Sequence, residues 1–249
     1  MRLPIASLLA LAPVPALAQD RPEPVNYIFA GGNDAAVVAE LLKRPDIDGV
    51  QIAYRWKLLE PREGEYNFAR IESDLATTNA LGKQLWIQLQ DRFFLPDARY
   101  LPDYILSEPQ YEGGLFAQHT MGGAEGAPQG NGWVAKQWNP ALRERFQALI
   151  AALAEHFDGR IAGINLEETA IDLGDDKSFF DCDAYFAAEL ENARFARSEF
   201  NRSMVVQYIN FWPCQWATSA VILPASSPPR PRRVSGWAGR TSCRGRKGR

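Results

Sequence analysis

From Val25 onward, apolar and polar positions alternate between two rhythms. Val25–Ala30, Gly49–Trp56, Lys83–Gln90, Arg160–Glu168 and Ser203–Trp212 are short apolar runs of strand length. Between them lie segments of helical period: one capped by Asn33 or Asp34 and running to Lys43, then Asn67–Leu81, Pro140–Phe157 and Asp183–Phe200. The clearest is Pro140–Phe157, with proline in its first turn and Leu142, Phe146, Leu149, Ile150, Leu153 and Phe157 at helical spacing. Strand alternating with helix at this rhythm predicts an α/β fold of parallel β/α units. No G-x-G-x-x-G follows a strand, which removes support for a dinucleotide site and an open doubly wound sheet.

Two stretches break the rhythm. Asp91 to Asn139 is too long for an ordinary connection and reads as a loop; it interleaves glycines with Tyr100, Tyr104, Tyr111, Phe116, Trp133 and Trp138, the composition of a binding wall. Residues 216–249 hold eight bases, no acid, four prolines and five serines. A basic arm for an anionic surface and a disordered tail both fit that composition. The abrupt loss of periodicity after a fifth strand favours a third reading, translation in a shifted frame from near Gln215.

Charge sharpens this division. All 30 acidic residues but only 18 basic ones fall within residues 1–201, a net of −12, and the remaining nine bases follow them. So acidic a body lacks the basic face that phosphate contacts require, which excludes a nucleic-acid partner. Two His and three Cys are too few for a Cys/His zinc framework, and Asp172, Asp175, Asp176, Asp181 and Asp183 lack calcium-loop spacing, so neither cofactor nor metal is expected. At the start, Arg2, an apolar stretch broken by Pro13 and Pro15, and Ala16-Leu17-Ala18 read as a signal peptide. Export, with cleavage near Ala18, places the chain in the periplasm or outside the cell. No membrane span is expected elsewhere. The domains are thus 1–18, 19–215 and 216–249.

Residues 49–90 carry a resemblance. Leu59-Glu60-Pro61, Gly64, Tyr66 and Phe68, set after a strand ending in Trp56 and before Gly82-Lys83 and a third strand, are similar to the second and third units of retaining TIM-barrel glycoside hydrolases. The resemblance implies a parallel (β/α) barrel, of which this chain holds about the first five units, and a carbohydrate substrate. The motif also has a purely structural reading, in which Pro61 and Gly64 form a turn while Tyr66 and Phe68 pack the start of a helix. In the resembling proteins strand four ends in Asn-Glu-Pro, the Glu being the general acid/base. Aligned on Gly163 to Thr169, Glu168 takes that position and Glu167 stands where the Asn would be. Strand alternation keeps Glu167 and Glu168 from forming a dyad with each other. Retaining hydrolysis needs a second carboxyl roughly 5–5.5 Å from the first, which the resemblance puts on strand seven. No residue here matches it, and little or no hydrolysis is expected of this chain.

Carboxyl ends of barrel strands are where such sites form. Arg55 and Trp56, Gln88 and Gln90, Asn165, and Tyr208, Asn210 and Trp212 fall there, and Trp133 and Trp138 join them from the long loop. Aromatic faces with amide and guanidinium donors suit a polar, uncharged ligand. Cys182 and Cys214 fall on the same rim after strands four and five, a candidate disulfide in an oxidising compartment. A non-catalytic carbohydrate-binding or relic protein, and an unrelated TIM-barrel enzyme, are the alternatives.

Overall fold

The computed structural model describes residues 24–120, 129–173 and 180–214. The leader, the basic tail, Asp175 and Asp176 lie outside them. In chain order the strands are β1 (Tyr27–Phe29), β2 (Gly49–Arg55), β3 (Gln84–Gln90), β4 (Arg92–Phe93), β5 (Leu115–Thr120), β6 (Gln129–Ala135), β7 (Gly163–Leu166) and β8 (Met204–Gln207). The helices are α1 (Ala39–Leu42), α2 (Trp56–Leu59), α3 (Ala69–Ala80), α4 (Asp103–Ser107), α5 (Pro140–Phe157) and α6 (Cys182–Glu199).

Five strands form one parallel sheet in the order β1-β2-β3-β7-β8, with helices on the connections: an incomplete (β/α) TIM-barrel arrangement. The strands keep their predicted order and are shorter at their ends. Alternation decides which face is covered. Val50, Ile52 and Tyr54 on β2, Leu85, Ile87 and Leu89 on β3, and Ile164 and Leu166 on β7 are buried. They share one core with Ile71 and Leu75 of α3, Leu149, Ile150 and Leu153 of α5, and Ala196 of α6. The opposite face carries Phe29, Gln51, Arg55, Gln88, Gln90 and Met204; Phe29 is 57% and Met204 40% exposed.

Helix α5 has the predicted bounds because its start is doubly specified: Pro140 opens it and the Asn139 side chain accepts from Leu142 N. The helix predicted from Asn33 or Asp34 to Lys43 is instead a 3₁₀ turn at Ala35–Val38 followed by the single turn of α1. Val37 and Leu41 face solvent, so only part of its apolar stripe is buried.

The long loop is the main correction. Within 91–139 the chain builds α4 and an antiparallel sheet of order β4-β6-β5. Gly132 is what lets β6 pass: its φ is +91°, and a Cβ there would stand 1.9 Å from the Phe93 carbonyl oxygen. This second sheet begins two residues past the end of β3 and is tied there by Ala135 N, which donates to Asp91 O (2.9 Å).

Candidate functional site

The Glu-Pro-x-x-Gly motif folds as a staple. Trp56 donates through Nε1 to Glu60 (2.8 Å), Gly64 N donates to the other Glu60 oxygen (2.9 Å), and Arg145 of α5 pairs with the same carboxylate. Glu60 is fully buried, and Tyr66 stacks on Phe68, which packs edge-on against Phe157. Trp56 itself is 1% exposed and lies against Phe146. It is core, not ligand surface, a correction to its place among the expected binding residues.

Two other expected binding residues, Asn165 and Trp212, are buried, and a third, Trp138, is partly buried. Asn165 is buried, and its amide nitrogen, turned toward the next strand, donates to Val206 O (3.0 Å). Trp212 is buried against Phe186 and Tyr185. Trp138 packs edge-on to Phe116, Phe180 and Tyr185. These rings line a second apolar cluster beneath the rim. Cys182 and Cys214, with Cα atoms 6.3 Å apart, are joined by a disulfide beside it.

The remaining residues stay at the rim. Arg55 is exposed, with its guanidinium 4.1 Å above the Tyr100 ring. Tyr100 contacts Phe93, Phe93 pairs across the ladder with Trp133, and Trp133 carries Arg99 over its face at 4.1 Å. Trp133 is anchored by its indole N–H to Pro96 O (2.8 Å). Gln90 sits in register with Arg55, while Gln88 accepts from Gln51 Nε2 (2.5 Å). From the other side Asn210, exposed at the end of β8, donates to Glu168 (2.5 Å), with the partly buried Tyr208 nearby in sequence.

Glu167 follows Asn165 and lies beside Gln88 of the neighbouring strand. Burial, then the charge of Asp91, push its carboxyl from the ordinary 4.5 up to about 8, against the pull of Arg92 and a hydrogen bond from Gln88. Its backbone carbonyl accepts from Gln207 Nε2 (2.5 Å). Behind it lies a buried polar cluster that the sequence reading did not find. Arg92 is fully buried and donates to Ala170 O (3.2 Å), the Tyr185 hydroxyl (3.1 Å) and Glu189 (3.1 Å). Burial keeps the Tyr185 phenol neutral, and it donates to Thr169 O (2.9 Å). The available signal was on α6, where Tyr185, Glu189 and Asn192 recur at helical spacing on a face that also carries Ala188 and Ala196.

A carboxyl that holds its proton, set among amides, a guanidinium and aromatic edges, can donate that proton to a leaving oxygen. Among the described residues no group of His, Cys, Asp and Glu is arranged to hold a metal ion, and no helix is long and apolar enough to cross a membrane.

No protein-family model matches the chain, and no curated protein does. Solved structures match in fold. A β-galactosidase from the psychrophilic Marinomonas ef1 superposes with a TM-score of 0.52 at 10% identity, covering 75% of this chain and 37% of its own. An exo-β-1,4-mannosidase from Opitutaceae bacterium strain TAV5 gives 0.47 at 15%, covering 74% and 32%. The chain therefore spans well under half the length of either structure, and at such identity the first match establishes the fold alone.

Proposed function

We propose that this chain is a glycoside hydrolase-type barrel protein whose rim binds a neutral saccharide and presents an acid/base carboxyl from the Glu167–Glu168 pair. The observation that carries this is the pair itself, at the carboxyl end of the fourth parallel strand, with a raised Glu167 and an Asn210-bound Glu168. The sequence resemblance to retaining glycoside hydrolases implies Glu168 for the acid/base position. The flanking donors are uncharged amides and the guanidiniums of Arg55 and Arg99, each already laid over an aromatic ring, an arrangement suited to hydroxyls. The fold likeness to glycosidases supports the same reading. No described residue is assigned the nucleophile's part, so binding is the activity expected of this chain and hydrolysis is expected to be slow or nil. That keeps the non-catalytic carbohydrate-binding reading in view beside the hydrolytic one. The protein is proposed to be exported, its leader cleaved near Ala18, and the Cys182–Cys214 bridge accords with an oxidising compartment.

The test is calorimetric titration of the folded chain with a panel of neutral β-linked oligosaccharides. Saturable binding to one class, weakened roughly tenfold by Asn210→Ala or Trp133→Ala through loss of one ligand contact, is expected. A cooperatively folded chain that binds none of the panel would refute the proposal.

A further inference from the structure

Arg92 has five N–H donors, and four of them go to groups other than Glu167. Nε faces Asp91 Oδ1 (3.4 Å), one terminal nitrogen serves Ala170 O and Tyr185, and the other serves Glu189. Asp91 is fixed from its other side as well. Gln147 donates to Asn192 (3.1 Å), Asn192 to Gln137 (3.0 Å) and Gln137 to Asp91 Oδ2 (2.8 Å), so each amide passes its donor end forward and the chain must end on an acceptor. Both Asp91 oxygens therefore accept a hydrogen bond. Three carboxyls, Asp91, Glu167 and Glu189, lie around one buried guanidinium; Asp91 and Glu189 accept its hydrogen bonds, and burial raises Glu189 to about 7 against the pull of Arg92, still below Glu167.

We propose that Asp91 and Glu189, neither of them exposed, are positioning residues that act through Arg92: by occupying its guanidinium they leave Glu167 as the rim carboxyl that carries the proton at neutral pH. This rests on the reading of the rim as an acid/base site, and it assigns the donor to Glu167 rather than to Glu168. The groups facing Glu167 are consistent with it. Gln88 of β3 offers a neutral amide, Asp91 and Glu168 add like charge, Arg92 is the one opposing cation, and Gln207 of β8 donates to the backbone carbonyls of Glu167 and Tyr208. In the reaction the glycosidic oxygen would keep the electron pair of its bond to carbon and take the Glu167 proton; the water that adds to that carbon returns a proton to Glu167.

The proton is directly observable. The chain is grown with glutamate labelled at the side-chain carboxyl carbon, and Glu167 is identified by the signal lost in Glu167→Gln. The wild-type midpoint should lie above neutrality. Asp91→Asn removes a like charge, and Glu189→Gln frees Arg92 to pull on Glu167, so either should lower the midpoint by about one pH unit or more. Glu189→Gln serves if Asp91→Asn fails to melt cooperatively. A wild-type midpoint in the ordinary carboxylate range would overturn the proposal, as would a high midpoint unmoved in both folded variants. No ligand enters this measurement, so a chain that binds no saccharide would sink the functional reading and leave the location of the proton standing.

Discussion

Glu167 and Glu168 are adjacent in the chain and differ in nearly everything around them. Glu168 meets the exposed amide of Asn210, whereas Glu167 faces a buried cluster with a committed cation. Linkage gives the consequence for stability. Below about pH 4.5 both the folded and unfolded chains hold this proton, and Glu167 costs nothing. Between about 4.5 and 8 the unfolded chain releases it while the folded chain does not, so stability falls as pH rises; above about 8 the penalty is constant. Glu167→Gln removes that penalty. Its stability relative to wild type should increase from pH 5 to pH 8 by on the order of 2–3 kcal/mol, discounted from the full shift because Glu167 is only partly buried. Urea denaturation at the two pH values reads the difference, and a gap that does not change with pH would contradict the assignment.

At the scale of elements, the staple around Glu60 sets the entry of the β2–α3 connection and clamps it to α5. Removing one partner of a buried ion pair leaves the other uncompensated. Glu60→Ala leaves the indole N–H of Trp56 and the amide of Gly64 without their acceptor and Arg145 with Glu63, at 3.8 Å, as its remaining charged partner, and should cost about 3–5 kcal/mol by chemical denaturation. Trp56→Phe removes the indole hydrogen bond and part of the ring volume packed on Phe146, roughly 1–3 kcal/mol, and should leave saccharide affinity unchanged because Trp56 is buried in the core. An affinity loss in that variant would restore Trp56 as a ligand contact. The same residues mark what a sequence discloses. Strands β2 and β3 were legible because their covered faces are continuous apolar rows, Val50, Ile52 and Tyr54 on one and Leu85, Ile87 and Leu89 on the other, and α5 because Asn139 and Pro140 fix its start. The second sheet was not, since Gly130, Gly132 and the polar residues near them resemble loop composition, and the strand owes its extended backbone to pairing of Gln129 and Gly130 with Thr120 and His119 and of Trp133 with Phe93 and Ala117. Hydrophobic period reports which side of an element is covered. It cannot report that Trp56 and Glu60 are partners, or that the polar stripe on α6 closes over Arg92.

At the scale of the molecule, β1 and β8 each pair on one side only among the described residues, and the face between them exposes Phe29 and Met204. Unpaired parallel edges and apolar surface of this kind promote association. Sedimentation velocity should show concentration-dependent self-association that the double substitution Phe29→Lys, Met204→Lys reduces; a monomer at all concentrations would show this face to be covered in solution.

The central claim, a saccharide site on the carboxyl rim of the parallel sheet, is tested most directly by mapping backbone amide shifts as an oligosaccharide is titrated into the ¹⁵N-labelled chain. The account predicts saturable shifts centred on residues 88–92, 165–169 and 208–210, with the Trp133 indole moving alongside them. Saturable shifts confined to other surfaces, with the rim silent, would contradict it.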